Sequence, residues 1–502
     1  MSLLGIDVGT SGCKAVLFTE TGEQIAAAYE EYDVQSPQPG WAELNSGHVW
    51  AQVKRTICKA CAEARHDPPR ALAVSSLGEA VVPVTRNRQI LGPSLLNFDR
   101  RGIEFLPALR ASILETTLYQ VNGNTIGNHY SLTKLRWIKA HQPNLYHQAD
   151  FFLHWGALVS FMLGAEPLVD YTLANRTLLF DLERATWSES LLEWAQVDRE
   201  KLPPAIASGA AIGRVEPAIA AELGLPGGTL IVSGGHDQGC NALGCGVIEP
   251  GQAFYGMGTY LCMVPVFAHR PEAAKMIAQG LNTEHHVIPG LYVSFIYNQG
   301  GALVKWFRDT FAAAERQQAA AAGIDPYPAL FAEIPAGPSR VLALPHFTAT
   351  GPPRFIANSA GVLAGLRLGT TRGEILKGLI DSATFYLRQC FEGLPEEIVV
   401  SGFRAAGGGS KADAWMQASA DIFGRPFMRP QVSEAGALGA AILAGIGSGV
   451  FKSFAEGVTA MVKPGRLFEP DPAMQARYFE RFEKYRRLEP LLEDYLKDWD
   501  EA

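Results

Sequence analysis

The sequence predicts an α/β protein of two domains, each a mixed β-sheet flanked by helices, with a cleft between them. Three observations carry this. Short apolar or β-branched runs alternate with helical stretches through both halves of the chain, the pattern of a sheet covered by helices. The 502 residues suffice for two domains of roughly 200 to 250 residues each. Two glycine hairpins of the same plan lie about 250 residues apart, one in each half.

The first hairpin is Gly5-Ile-Asp7-Val-Gly9-Thr10-Ser11-Gly12-Cys13-Lys14. Its apolar flanks predict two strands, and Gly9 to Gly12 the turn between them. Such a turn exposes backbone N–H groups and hydroxyls, which makes a concave anion site. Asp7 stands just before it, and a carboxylate beside a phosphate cradle implies a shared cation, most simply Mg²⁺. A helix over residues 50–62 follows; its Cys58 and Cys61 have no second Cys or His pair to complete a zinc site and are read as packing residues. Residues 71–75 predict a strand, 131–140 and 151–163 helices, and 228–233 another strand. Glycines and Pro250 over residues 239–251 predict a hinge. The second hairpin then spans residues 252–264, with Gly256-Met-Gly258-Thr259 at its turn. Residues 326–338 are expected as a surface loop, 373–390 as a helix and 397–401 as a strand. From Pro472 the chain is charged, with Tyr478, Phe482, Tyr485 and Leu488 at helical spacing and Pro490 interrupting. The expected domains are 1–244, 245–450 and a helical segment 451–502.

Composition narrows the function classes. A content of 47% hydrophobic and 19% charged residues describes an ordinary globular protein. A net charge of −8 without a basic cluster argues against a nucleic-acid partner. No run reaches the ~18 apolar residues of a membrane span, and the N-terminus has no signal-peptide pattern. Seven cysteines form no disulfide framework, so a reducing cytoplasm is expected. There is no Gly-x-x-x-x-Gly-Lys-Ser/Thr loop, and no Gly-x-Gly-x-x-Gly opens a helix after a first strand.

Asp237, in Gly234-Gly235-His236-Asp237-Gln238, ends an apolar strand. A strand end facing a cleft is where catalytic carboxylates sit in α/β folds. Asp237 suits a base that takes a proton from a hydroxyl attacking a γ-phosphate; the alternative is a turn residue capping the next helix. His236 is read as a packing residue. Glu79 and Asp99 also follow strands, where buried carboxylates would accept sugar hydroxyls; for Asp99 the alternative is pairing with Arg100 or Arg101 in a surface turn. Gly407-Gly408-Gly409 lies between a strand and a helix, which permits close backbone approach to a ligand. Glu434 to Ala441 gives a small-residue helix taken as structural support.

These segments, in this order, resemble the FGGY family of carbohydrate kinases, over nearly the whole chain to about residue 450. The first turn matches, residues 129–138 resemble the family's first signature, and Gly361 to Leu366 with Glu374, Ile375 and Asp381 resemble the second. Residues 407–417 resemble its adenosine-binding segment. The resemblance implies two actin-like (ribonuclease H-like) domains and ATP with Mg²⁺. Asp237 would be the base and Asp7 would sit at the metal. Thr10, Ser11, Lys14, Gly258 and Thr259 would line the phosphates, and Gly301, Gly408, Gly409 and Asp413 would approach the nucleotide. Glu79, His129, Asp99 and Gln238 would face a small sugar or polyol. A homodimer is left open. At the substrate end the chain departs from the patterns: Ser76-Leu-Gly78-Glu79 replaces the Gln-Met-His-Gly of xylulokinases, and Gly78 stands where glycerol kinases carry arginine. A ketose or polyol acceptor is expected, with an actin-like or Hsp70-like ATPase as the rival class.

Overall fold

A computed structural model describes residues 2–348, 350–354 and 360–496. Strands β1 (Ser2–Val8) and β2 (Gly12–Phe18) form the N-terminal antiparallel hairpin, with Asp7 opposite Lys14. β3 (Gln24–Glu31), β4 (Pro69–Ser76), β5 (Ala211–Arg214) and β6 (Leu230–His236) complete a six-stranded sheet ordered β5-β6-β4-β1-β2-β3. The β1–β4 and β4–β6 pairs are parallel and the rest antiparallel. A parallel pair needs a crossover, and α1 (Ser46–Glu63) supplies the one between β3 and β4, burying Val49, Val53 and Ile57. Cys61 is buried on this helix while Cys58 is exposed, so the two do not share a packed face.

α2 (Ser131–His141) lies where expected, but residues 151–163 divide. Phe151–His154 is a strand paired with Val81–Val84, and the helix is α3 (Trp155–Leu163). The aromatic residues at 151 and 152 favour the pleated pairing. A short helix, α4 (Tyr171–Asn175), is capped by the Asp170 side chain. The first part of the expected hinge is a helix, α5 (Asp237–Gly244). Its glycines serve close packing, since a Cβ on Gly244 would lie 1.9 Å from the carbonyl oxygen of Ala435.

The second sheet repeats the plan of the first. β7 (Gly251–Met257) and β8 (Tyr260–Phe267) form a hairpin, β9 (Ile296–Gln299) pairs with β8, and β10 (Val400–Ala406) runs parallel to β7. β11 (Phe427–Arg429) and β12 (Arg466–Phe468) continue it, and Tyr292–Val293 and Glu284–His285 extend it beyond β8. Helices α6 (Gly301–Phe311), α7 (Arg372–Glu392) and α8 (Asp413–Phe423) cover this sheet. Tyr255, Phe403, Phe423 and Phe427 pack as an aromatic core. Residues 326–338 contain a short helix, Tyr327–Ala332, where a loop was expected; Pro328 sits in its first turn, a position that needs no donor.

α9 (Ala435–Gly447) follows the second sheet's strands in sequence but packs on β1, β4, β6 and α5. α10 (Pro472–Tyr485) buries Tyr478, Phe482 and Tyr485 against Phe385, and so belongs to the second core. Pro490 does not interrupt it; it lies in the first turn of a further helix, Leu488–Leu496. Residues 497–502 lie outside the described set. Among the described residues no helix is long and apolar enough to cross a membrane.

Candidate active site

Asp237 is the first residue of α5, directly after β6. Its side chain is 28 % exposed, yet Oδ1 is buried with no hydrogen-bond partner, 3.3 Å from Nε2 of His236. Burial, then the negative charges of Asp7 and Glu79, push its carboxyl up to about 7, against hydrogen bonds from Gln238. Asp7 and Glu79 therefore lie within electrostatic range of Asp237, and Gln238 within hydrogen-bond range. Asp7 lies on β1 and accepts a 2.7 Å hydrogen bond from Ser75 of β4. Burial raises its pKa too. Two carboxylates both shifted up, one by the charge of the other, would be relieved by a divalent cation, and Gly436 leaves room beside Asp7, where a Cβ would come within 3.2 Å of Oδ2. The α9 end is therefore part of the site and not only support: Glu434 also pairs with Lys14 at 2.6 Å.

The strand end that carries Asp237 is fixed by Thr172. Its hydroxyl donates to the Asp170 carboxylate and accepts the His236 N–H at 2.7 Å. Thr172→Val is isosteric and strands both groups, each buried, at a cost of about 1–3 kcal/mol. We expect a lower unfolding midpoint in denaturant together with a lower turnover number; an unchanged midpoint refutes the clamp.

Both glycine turns are built as expected. Tyr32 Oη donates to the carbonyls of Gly9 and Gly12, at 2.7 and 3.0 Å, and so holds the first turn. Thr10 is half-buried and Ser11 exposed on it. The second turn, Gly258-Thr259, receives the N-terminus of α6: Gly301 N–H donates to the Gly258 carbonyl at 2.9 Å and Ala302 N–H to that of Thr259 at 3.0 Å. A Cβ on Gly408 would meet no atom within 4 Å, whereas one on Gly409 would strike Trp415. Asp413 is half-exposed and paired with Arg429 and Arg466, so its carboxylate is already engaged.

At the other end Glu79 is buried and its Oε1 accepts both Nε, at 2.7 Å, and Nη2 of Arg176. Arg176 continues to Glu284, which Asn282 also contacts at 2.6 Å. Sequence reasoning missed Arg176 and Glu284, because the partners lie 97 and 108 residues apart. His129 packs its ring on Tyr130, 3.9 Å between centroids, and burial and the charges of Arg176 and Lys134 keep it neutral. Asp99 is wholly buried, and Ala42 N–H, Arg101 N–H and the Arg101 guanidinium occupy its carboxylate. It anchors a loop: the arginine pairing weighed from the sequence is present, but in the interior and not in a surface turn.

This geometry joins two hairpin sheets, each offering a glycine turn, to a base-like carboxylate between them. The FGGY family of carbohydrate kinases matches over its N-terminal domain at residues 2–244 and over its C-terminal domain at residues 262–448. Autoinducer-2 kinase of Salmonella paratyphi B is 30% identical over 509 residues, which is 97% of this chain and 93% of that protein. Glycerol kinase of Albidiferax ferrireducens is 29% identical across 96% of this chain and 98% of its own. The solved xylulose kinase of Rhodospirillum rubrum has a TM-score of 0.86 at 27% identity, covering 99% of this chain and 100% of that one. The protein is thus a phosphotransferase of the actin-like, two-domain class, with an alcohol group as acceptor. It belongs to the FGGY family of carbohydrate kinases.

Proposed function

We propose that this kinase moves the γ-phosphate of ATP, with Mg²⁺, onto a hydroxyl of a small ketose or polyol. The observation that carries the reading is the buried, partnerless Oδ1 of Asp237, on a carboxylate within electrostatic range of Asp7 and Glu79. An acceptor hydroxyl brought to that oxygen gives it a proton to take as the hydroxyl attacks. Mg²⁺ would supply charge neutralisation of the phosphates, and Asp7 would hold it. Thr10, Ser11 and Lys14 would meet phosphate from one sheet, and Gly258 and Thr259 from the other. Gly301, Gly408 and Gly409 would approach the nucleotide, with Asp413 fixing that edge through Arg429 and Arg466. Glu79, Gln238 and His129 would face the acceptor, while Asp99 anchors the loop that Asn128 and Lys134 contact. Autoinducer-2, glycerol and xylulose are the acceptors that relatives' names give; each carries hydroxyls.

The test is ADP release with Mg-ATP across D-xylulose, L-xylulose, D-ribulose, L-ribulose, erythritol, glycerol and a no-acceptor blank. We expect one compound to raise the rate well above the blank. A uniformly flat panel with tight ATP binding returns the ATPase class without a sugar acceptor.

A further inference from the structure

Arg176 follows α4 in the N-terminal half, yet its guanidinium is shared between carboxylates of both halves. Glu79 follows β4, and Glu284 lies on the edge of the second sheet. The guanidinium lies 5.0 Å from the Tyr130 ring centroid and 5.5 Å from that of Phe295, one ring from each half. Neighbouring contacts tie the same segments, since His285 N–H donates to Asn175 Oδ1 at 3.2 Å and Thr283 N–H to the Gly123 carbonyl at 2.8 Å. Gly78 lets this segment lie close against the same groups: a Cβ there would meet Nε2 of His236 at 2.9 Å and Cγ of Arg176 at 3.5 Å.

Glu79 is held in an unusual state. Its φ is +54°, left-handed for a residue with a side chain, a strained conformation that persists where surroundings impose it. Arg176 on the side chain and Ser131 Oγ on the carbonyl, at 2.5 Å, are what impose it. Both arginine hydrogen bonds fall on Oε1, and among the described residues none falls on Oε2. That oxygen keeps its acceptor capacity for a donor, which a hydroxyl supplies and a carboxylate does not.

The cations nearby are spent. Arg176 serves two carboxylates, so the group carries a net negative charge. Lys134 gives its protons to the carbonyls of Asp99 and Asn128, both at 2.6 Å, and of Arg101. Arg101 is taken by Asp99 and Glu43. Burial and the charge of Arg176 keep His129, His154 and His236 neutral. An acceptor bearing a carboxylate would bring that charge in with no unengaged counter-ion among these described residues, which disfavours its binding.

We propose that Arg176, locked between Glu79 and Glu284, is a positioning and specificity-determining residue that presents Glu79 to acceptor hydroxyls and restricts acceptors to uncharged polyhydroxy compounds, excluding aldonates. This rests on the phosphoryl-transfer reading above. Glu284→Gln keeps the shape of the bridge and releases charge from Arg176; Arg176→Lys keeps the charge and loses the fork.

The experiment is steady-state kinetics of wild type, Glu284→Gln and Arg176→Lys with the best neutral acceptor, with the aldonate of the same carbon skeleton, and with varied ATP. Wild type should turn over the neutral compound and ignore the aldonate. Glu284→Gln should raise the KM for the neutral acceptor by about tenfold with the KM for ATP within about twofold, and the aldonate should become a competitive inhibitor or a substrate. Arg176→Lys should raise the acceptor KM similarly. Wild type that uses the aldonate as well as the neutral compound overturns the inference without any variant, as does an unchanged acceptor KM in Glu284→Gln. Wild type that turns over only the aldonate overturns the inference and leaves phosphoryl transfer standing, whereas wild type silent with the aldonate and every neutral acceptor overturns the phosphoryl-transfer reading, and the inference falls with it.

Discussion

Asp237→Asn will bind ATP as wild type does and lose acceptor-dependent ADP release by about 10²–10⁴-fold, the range supplied by a positioned base. The change is isosteric, so α5 and its packing remain. What it removes is the ability of Oδ1 to accept a proton, and Oδ1 is the oxygen without a hydrogen-bond partner. A capping role alone predicts otherwise, because asparagine caps helices as well as aspartate does. The pH profile adds an independent sign. Burial, then Asp7 and Glu79, raise this carboxyl to about 7, so in the ligand-free enzyme it is protonated below that pH and is no base there. kcat/KM for the acceptor should therefore fall about tenfold per unit as pH drops below about 7, and level off above it. Retention of most of the rate in Asp237→Asn, or a flat acid limb, rejects Asp237 as the base.

Much of this site is legible in the sequence because its signals are local. A Gly-Thr turn between two apolar strands is specified by a few adjacent residues, and both turns fold as expected with Asp7 and Asp237 at strand ends. The strand–helix alternation likewise reports the sheets, although the Val400–Ala406 strand begins three residues later than the apolar run over 397–401 suggested. What is not legible is pairing at a distance. Nothing in Asn175-Arg176-Thr177 announces a carboxylate at position 79 or 284. Asp99 shows the converse: a carboxylate after a strand reads as a ligand for substrate, yet its arginine folds back on it and a buried charge takes the nearest counter-ion. Glycines mislead in the same way. Gly239 and Gly244 read as a hinge, whereas in the structure they are helical and packed, Gly239 against the Val287 side chain and Gly244 against the main chain of Ala435.

That close passage yields the largest expected stability effect, at Gly439. Helices α5 and α9 cross at their backbones: a Cβ on Gly439 would lie 2.0 Å from the carbonyl oxygen of Cys240. Real Cβ atoms do not approach a carbonyl oxygen this closely, and neither partner is a flexible side-chain end. Gly439→Ala must push the helices apart, which at an overpacked site costs about 1–3 kcal/mol or more. Here the cost is at the upper end, because both contacts are main chain. The displacement also reaches chemistry. α5 begins with Asp237, and the residues leading into α9 place Glu434 on Lys14 and Gly436 against Asp7. A shift of either helix separates Asp237 from Asp7, the pair proposed as base and cation ligand, so turnover should fall along with stability. Gly227→Ala is the control, since a Cβ there meets nothing within 4 Å and its φ is ordinary. Denaturant unfolding of the two variants, with kcat beside each, should show a loss for Gly439→Ala and near-identity to wild type for Gly227→Ala. Equal midpoints would mean that the two helices are free to part, and the positions of Asp7 and Asp237 would then have to be set by the sheet alone.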